Sequence, residues 1–260
     1  MFFRKNNNSI EIKRTNYSNI NTFISIFCLL VIFGIWMTGC GINDSNVSDT
    51  LIESDFTESA DSWEPFFTGY NVGWGDKMDL TSEYRSLPEP LNTNENGYFI
   101  SAVNNSDDVK MLFRKQVSAL EPNTTYQVNY TIRFATNAPA GCAGIGGSPG
   151  GSVKVIADAT NQKPEAFIEN DYYWLNTQYR HHDNPSQWHQ NAILGDIANS
   201  QECEDENHQY EMKELTSGPA HSTVTTDDTG SAWLLFGTRS GFEGETALYF
   251  TYFSAEFSMN

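Results

Sequence analysis

The chain has 260 residues, with 33 acidic and 15 basic side chains and a formal net charge of −18 at pH 7. This charge repels phosphate backbones and anionic lipid headgroups, so the composition excludes nucleic acid as a partner and also excludes a basic membrane-binding patch. Solubility alone, binding of divalent cations and binding of neutral polar ligands stay open as reasons for the acidity.

The N-terminal stretch has the order of an export signal. Basic residues precede an uncharged apolar run from Phe23 to Trp36, which is shorter than the roughly 20 residues that span a bilayer. The sequence Met37-Thr38-Gly39-Cys40 follows and resembles the lipobox of bacterial lipoproteins. The resemblance implies that residues 1–39 are a lipoprotein signal peptide and that Cys40 carries the lipid. A plain secretory signal and an uncleaved anchor are the alternatives, and both also export the rest of the chain.

The same resemblance predicts where the protein lies. It is expected to be extracytoplasmic and attached to the membrane through the Cys40 lipid. Gly41 is not the Asp that resembles an inner-membrane retention signal, so we expect an outer membrane where the organism has one and the outer face of the cell membrane otherwise. Residues 40–53 are rich in Asn, Asp and Ser and are predicted to be a flexible tether. Residues 54–260 are enough for a single β-sandwich domain.

Alternation of apolar and polar residues predicts β-strands across this domain. The clearest runs are Tyr126–Phe134 and Val109–Val117. Pro122 and Asn123 predict a turn between them, so we expect these two strands to pair as antiparallel neighbours. Further strands are predicted at Phe66–Val72, Tyr98–Val103, Ser152–Ala157, Gln209–Leu215, Trp233–Gly237 and Ala247–Phe257. The last is apolar on both faces, as a central strand is. Short strands separated by turn residues predict an all-β fold, an antiparallel β-sandwich.

Two resemblances refine this fold. Asp55-Phe56, the turn Leu120-x-Pro122-x-Thr124-x-Tyr126 and the aromatic closing strand together resemble galactose-binding-like jelly rolls, which include many carbohydrate-binding modules. That resemblance implies a jelly-roll sandwich. The run Gly141–Val153 is similar to a signature of uncharacterised bacterial lipoproteins and envelope proteins, and it implies location and fold but no activity.

The cysteines differ in the cellular compartment that they are expected to reach. Cys28 is removed with the signal peptide, whereas Cys142 and Cys203 remain in an oxidising space. A disulfide between these two is the simplest interpretation, and two unpaired cysteines are the alternative. The glycine-rich run Gly141–Gly151 lacks the Gly-Lys-Ser/Thr ending of a phosphate loop, so we interpret it as a wide turn held by this disulfide. A backbone surface close to a ligand is the other interpretation.

The segment Asp171–His189 combines aromatic and polar side chains. Sugar rings stack a CH face on aromatic planes and need paired donors and acceptors for their hydroxyls, which is what this mixture offers. Strand alternation is also expected to turn some of these aromatics towards the core. The predicted ligand-binding residues are Tyr172, Tyr173, Trp174, Tyr179, Arg180 and Trp188.

A structural calcium ion is the one cofactor that the jelly-roll resemblance implies. Carboxylate oxygens are the ligands that calcium prefers, and the resemblance directs attention to Asp55, Glu58 and Glu256 near the first and last strands. The abundance of acidic residues provides candidates by chance as well, and a twelve-residue calcium loop is not found in the sequence.

Sequence motifs for catalysis are not found. The chain has no serine in a nucleophile elbow, and the carboxylates of Glu202–Glu206 are an acidic surface loop rather than a pair across a cleft. The leading hypothesis is a non-catalytic binding module for a glycan or another polar ligand. An envelope protein that binds a protein partner and a polysaccharide-acting enzyme are the alternatives.

Overall fold

Alternation of apolar and polar residues favours strands, and the strands in the described part of this protein form three β-sheets. The structure is a computed structural model that describes residues 49–105, 108–177, 193–205, 207–218 and 221–259. In chain order its elements are β1 (Thr50–Asp55), β2 (Glu64–Thr68), β3 (Tyr70–Asn71), α1 (Gly75–Met78), β4 (Thr81–Ser86), β5 (Asn96–Val103), β6 (Lys110–Val117), β7 (Thr125–Thr136), β8 (Val153–Thr160), β9 (Ala166–Glu169), β10 (Tyr172–Leu175), β11 (Ile193–Asp196), β12 (Glu211–Thr216), β13 (Ser222–Thr225), β14 (Ala232–Ser240) and β15 (Glu245–Met259).

The three sheets form layers. The large sheet has the order β12-β7-β15-β5-β4, with β1 also paired to β15 and β13 also paired to β7. The middle sheet has the order β11-β8-β14-β6-β2, and the small sheet has the order β3-β10-β9. The ladders between these strands are antiparallel. The predicted all-β antiparallel sandwich is therefore confirmed.

The main core lies between the large and middle sheets. Tyr126, Val128, Tyr130, Ile132 and Phe134 of β7 all face inward and are buried, as their alternation predicts. Aromatic rings fill the centre: those of Phe113 and Phe236 stack at 5.1 Å, and the Trp63 ring meets the Phe236 ring edge-on at 4.7 Å. Each fully buried large side chain of this kind stabilises the fold by about 1.5–3 kcal/mol.

The outer face of the middle sheet carries a second apolar cluster. Leu112, Ile156 and Leu235 lie on that face, and Leu175 of β10 packs against them. The small sheet therefore covers part of the middle sheet, and this contact positions β10.

The predicted pairing of Val109–Val117 with Tyr126–Phe134 is wrong. Strand β6 pairs with β14 and β2 in the middle sheet, whereas β7 pairs with β15, β12 and β13 in the large sheet. The connection crosses between sheets: Leu120 is buried within it, and the Leu120 amide donates to the Gly230 carbonyl at 3.1 Å. The seven residues between β6 and β7 exceed the usual length of a hairpin loop, and burial of Leu120 stabilises the crossing.

Two predicted boundaries also differ from the structure. Residues 50–53 were assigned to the tether, but Thr50 already pairs with Phe257 of β15, so the described fold begins in β1. The predicted strand Phe66–Val72 is divided at Gly69, whose φ is +86°. A Cβ at Gly69 would lie 2.1 Å from the Asp108 carbonyl oxygen, so the chain turns there and β3 joins the small sheet.

The remaining predicted strands overlap β5, β8, β12, β14 and β15, although the predictions for β8 and β12 begin one and two residues too early. Strand β15 pairs with β1, β5 and β7, which confirms that the strand with two apolar faces is central. The predicted disulfide is also present, since Cys142 and Cys203 are bonded.

Candidate functional site

The hairpin of β9 and β10 positions the first predicted ligand-binding residues. Tyr172 pairs with Glu169, which leaves Asn170 and Asp171 as a two-residue loop. Both have positive φ, 52° and 57°, as the type I′ hairpin turn requires, and Asn and Asp tolerate this conformation better than most residues.

Side chains of β10 alternate between the core and the outside. The Tyr173 ring lies 4.9 Å from the Tyr70 ring and packs against the main core. Tyr172 and Trp174 lie on the opposite face, with ring centroids 4.5 Å apart and both side chains half-buried. The Trp174 Nε1 donates to the Glu169 carbonyl at 3.0 Å, which fixes the indole on the hairpin. Tyr172 and Trp174 thus form an aromatic pair, whereas the half-buried Tyr173 packs against the main core.

Three further predicted ligand-binding residues lie outside the described residues. They are Tyr179, Arg180 and Trp188.

A groove of about 350 Å³ lies beyond the aromatic pair, where the ends of β8 and β10 meet β13. Asn176, which lines the groove, follows Trp174 by two residues, a distance of about 6–7 Å along an extended chain. The groove is lined by Ala159, Thr160, Asn161, Gln162, Asn176, Thr177, Thr223, Val224 and Thr225. None of these residues carries a charge.

Asn176 holds one wall of the groove. Its Oδ1 accepts a hydrogen bond from the Glu165 amide at 2.9 Å, and its Nδ2 donates to the Lys163 carbonyl at 2.9 Å. The β8–β9 loop, which supplies Asn161 and Gln162, is therefore fixed to the end of β10. Asn176 is a positioning residue of the groove.

Other polar groups of the groove are available to a ligand. The side chains of Asn161, Gln162 and Thr223 are exposed and have no hydrogen-bond partner among the described residues. The hydroxyls of Thr225 and Thr125 lie 2.9 Å apart across the β13–β7 ladder. Amide and hydroxyl groups both donate and accept, so the groove offers hydrogen bonds of both kinds without a charge.

Two charged residues beside the groove, Lys163 and Glu64, lie close to each other. The Lys163 ammonium lies 3.6 Å from the Glu64 carboxylate and 5.4 Å from the centre of the Trp233 ring. The hydrogen bond from Arg114 is the main cause that lowers the pKa of Glu64, with Lys163 adding to it. The opposite charges of Lys163 and Glu64 therefore partly cancel beside the groove.

The structure does not bring the three predicted calcium ligands together. The Asp55 Oδ1 accepts hydrogen bonds from the Thr57 amide and hydroxyl at 2.9 Å and 2.6 Å, and Glu58 lies in the same turn. Glu256 instead pairs with Leu51, four residues and about 13 Å along β1 from Asp55. One ion with ligand distances of about 2.3–2.6 Å does not reach both ends of that span. Within the described part of the chain, no group of three or more His, Cys, Asp or Glu residues is placed to hold a metal.

Among the described residues, no helix is both long enough and apolar enough to cross a membrane. The segment Phe23–Cys40, which carries the predicted signal and lipidation site, lies outside the described residues.

The groove was not predicted from the sequence. Its residues come from three distant segments, and polar residues at strand ends have no periodicity that marks them. The one available signal was the position of Asn176 within the aromatic segment, two residues after Trp174.

Comparison with known proteins gives no family assignment. No family model matches the chain, and no curated protein matches it. Solved structures with some likeness include a cleaved adhesin domain of Lys-gingipain from Porphyromonas gingivalis (TM-score 0.36, 10% identity, 81% of this chain and 99% of that one). A xylan-binding domain from Paenibacillus barcinonensis has a TM-score of 0.35 at 9% identity, covering 80% of this chain and 94% of that one. A mannan-recognising carbohydrate-binding module has a TM-score of 0.35 at 10% identity, covering 82% of this chain and 99% of that one. Similarity at this level does not identify a ligand.

Proposed function

We propose that this protein is a non-catalytic binding module that holds a neutral polysaccharide in the groove at the ends of β8 and β10. One observation carries the proposal: every lining residue of the groove is uncharged, in a chain with a net charge of −18. A neutral polyhydroxylated ligand meets no charge there that has to be desolvated.

The exposed polar groups match the chemistry of a sugar chain. The amides of Asn161 and Gln162 and the hydroxyl of Thr223 are exposed and free to exchange water for sugar hydroxyls. Such exchanges give about 0.5–1.5 kcal/mol for each hydrogen bond, so several are needed for useful affinity. Because each of these hydrogen bonds contributes little free energy, the amides and the hydroxyl mainly orient the sugar chain.

The aromatic pair supplies the apolar part of the interaction. Tyr172 and Trp174 lie on the face of β10 that leads to Asn176 and the groove. A sugar unit that leaves the groove along this face meets an aromatic surface on which its CH groups stack. The proposal therefore includes a path of several sugar units.

Export and lipid attachment belong to the same proposal. The lipobox-like Met37-Thr38-Gly39-Cys40 supports them, and a lipid on Cys40 would attach an acidic module to an envelope membrane without a basic patch. Polysaccharide at the cell surface is then the ligand within reach.

Affinity electrophoresis of the purified protein tests this function. Native gels would contain neutral polysaccharides (xylan, mannan, β-glucan) or acidic ones (polygalacturonate, alginate). We expect at least one neutral polysaccharide to retard the protein and the acidic ones to leave its mobility unchanged. Unchanged mobility in every neutral gel, or retardation by the acidic polysaccharides alone, would overturn the proposal.

A further inference from the structure

A second cavity, of about 230 Å³, lies at the end of the sandwich that carries the disulfide. We call it the disulfide cavity; it shares no lining residue with the groove. Its apolar walls come from Ala138, Pro139, Cys142, Pro149, Ile197, Phe242 and Ala247, and its polar ones from Asn137, His208, Glu245 and Thr246.

Thr246 has an unsatisfied hydroxyl in this wall. Its side chain is only 3% exposed, and its Oγ1 is buried without a hydrogen-bond partner among the described residues. Thr246 pairs with the core residue Ala102 on the neighbouring strand β5, so it lies on the inner face of the large sheet. A buried hydroxyl without a partner is unfavourable, and a water or ligand molecule in the cavity that Thr246 lines can supply that partner.

The other polar side chains that line the disulfide cavity also lack a hydrogen-bond partner among the described residues. Within the described residues, the side chains of Asn137, His208 and Glu245 make no hydrogen bond, although all three line the cavity. Together with Thr246 they offer an amide, an imidazole, a carboxylate and a hydroxyl, which are donors and acceptors of different geometry.

Phe242 forms a fixed aromatic wall. A Cβ on Gly144 would lie 2.6 Å from the Phe242 ring, and one on Gly244 would lie 2.5 Å from it. The ring therefore packs directly against two positions where the absence of a side chain is required. It is held in place before any ligand binds.

Hydrogen bonds join the loops around the ring to one another. The Glu243 amide donates to the Ile145 carbonyl at 2.8 Å, and the Gly241 amide donates to the Ser152 carbonyl at 3.0 Å. The disulfide joins Cys142, in the cavity wall, to Cys203. A cavity formed in advance loses little conformational entropy when it binds a ligand.

We propose that the disulfide cavity binds one neutral monosaccharide-sized polyol. An aromatic wall with donors and acceptors around it matches the CH face and hydroxyls of a sugar ring. A volume of about 230 Å³ holds one ring with its hydroxyls, since it equals the share of about seven to eight waters in the liquid. This site does not depend on the groove, and each can fail without the other.

Isothermal titration of the full-length protein with D-glucose, D-galactose, D-mannose and D-xylose tests the proposal. We expect at least one of these sugars to bind, and Thr246→Val to bind it about tenfold more weakly. Thr246→Val should also raise the thermal midpoint without sugar, because it removes a buried hydroxyl that has no partner. A merely structural role for Thr246 would lower that midpoint instead.

Thr238→Val is the matched control. Thr238 is also fully buried with an unpartnered hydroxyl among the described residues, but it does not line the cavity. We expect Thr238→Val to bind the sugar as tightly as the wild type. Equal binding by the Thr246→Val variant, equal loss in both variants, or no binding of the four sugars would overturn the proposal.

A second pair of variants keeps the test decisive if Thr246→Val does not fold. In Gly144→Ala the new Cβ would lie 2.6 Å from the Phe242 ring and 2.7 Å from the Gly147 carbonyl oxygen, so it displaces this part of the wall and should weaken sugar binding at least tenfold. Gly75→Ala, where a Cβ meets nothing within 4 Å, should leave binding unchanged. Wild-type affinity in Gly144→Ala would contradict the assignment of Phe242 as the aromatic wall.

Discussion

At the scale of single residues, burial and neighbouring charge change the chemistry of side chains outside the groove. Tyr210 lies edge-on to Tyr249, with their ring centroids 5.4 Å apart. Burial is the largest cause that raises the pKa of the Tyr210 phenol to about 12, with Tyr249 and Glu245 adding to it and Arg85 opposing. The folded protein therefore keeps this phenol neutral where the unfolded chain ionises it.

This shift predicts a loss of stability at alkaline pH. Below pH 10, the ordinary pKa of a tyrosine phenol, the phenol is neutral in both states and titration changes nothing. Between pH 10 and about 12 only the unfolded state releases the proton, so the free energy of unfolding falls as the pH rises. Denaturant unfolding across this range should show a steeper fall for the wild type than for Tyr210→Phe. Parallel curves for the two proteins would contradict the raised pKa of Tyr210.

Single residues also show what the sequence could predict of the site. The alternation in Tyr172, Tyr173 and Trp174 predicts that neighbours face opposite ways, and the structure turns Tyr173 to the core. The groove-lining Asn161 and Thr223 have no such pattern, because they become neighbours only when three segments fold together. Periodicity reports which face a residue is on but not which distant loop it meets.

At the scale of elements, alternation predicted strands well and their partners poorly. Strands β7 and β15 alternate or are apolar throughout, and they lie where expected. The pairing of β6 with β7 was wrong because the buried Leu120 stabilises a crossing between sheets. Strand β1 was not predicted because Leu51 and Ile52 are its only apolar residues and do not alternate, whereas the pairing with β15 makes the segment a strand.

The disulfide between Cys142 and Cys203 connects the glycine-rich loop to the segment before β12. It closes a loop with a sequence separation of 61, and in the chain-entropy model such a loop restricts the unfolded chain by about 4 kcal/mol. We expect the double variant Cys142→Ser/Cys203→Ser to have a lower free energy of unfolding by up to about that amount.

Denaturant unfolding with and without a reducing agent measures this effect. Reduction should bring the wild type to the level of the double variant and should leave the double variant unchanged. A wild type that is insensitive to complete reduction would show that the disulfide does not stabilise the fold.

At the scale of the whole molecule, the proposed lipid and the net charge act together. Thr50 of β1 follows Cys40 by ten positions, a span of at most about 36 Å when fully extended. A lipid on Cys40 would therefore hold the sandwich close to a membrane whose anionic headgroups repel it.

Labelling of cells with radioactive palmitate tests the anchor. Cys40→Ser should lose the label and leave the membrane fraction, because the acylated sulphur is gone. Cys28→Ser is the matched control and should keep both the label and its membrane fraction, since Cys28 precedes the predicted cleavage site. A labelled Cys40→Ser variant would place the lipid elsewhere.

An uncharged groove that binds a neutral polysaccharide should be sensitive to an added charge. Asn161→Asp tests this most directly, because it places a carboxylate in the groove at almost constant volume. Asn94→Asp, with the same change of charge in the exposed loop between β4 and β5, is the control at the other edge of the large sheet.

The measurement is the mobility of both variants in native gels that contain the neutral polysaccharide that retards the wild type. We predict that Asn161→Asp binds the polysaccharide about tenfold more weakly, equivalent to about 1.4 kcal/mol, whereas Asn94→Asp is retarded as strongly as the wild type. If Asn161→Asp is retarded as strongly as the wild type, the polysaccharide does not bind in the groove and the proposed binding site is wrong.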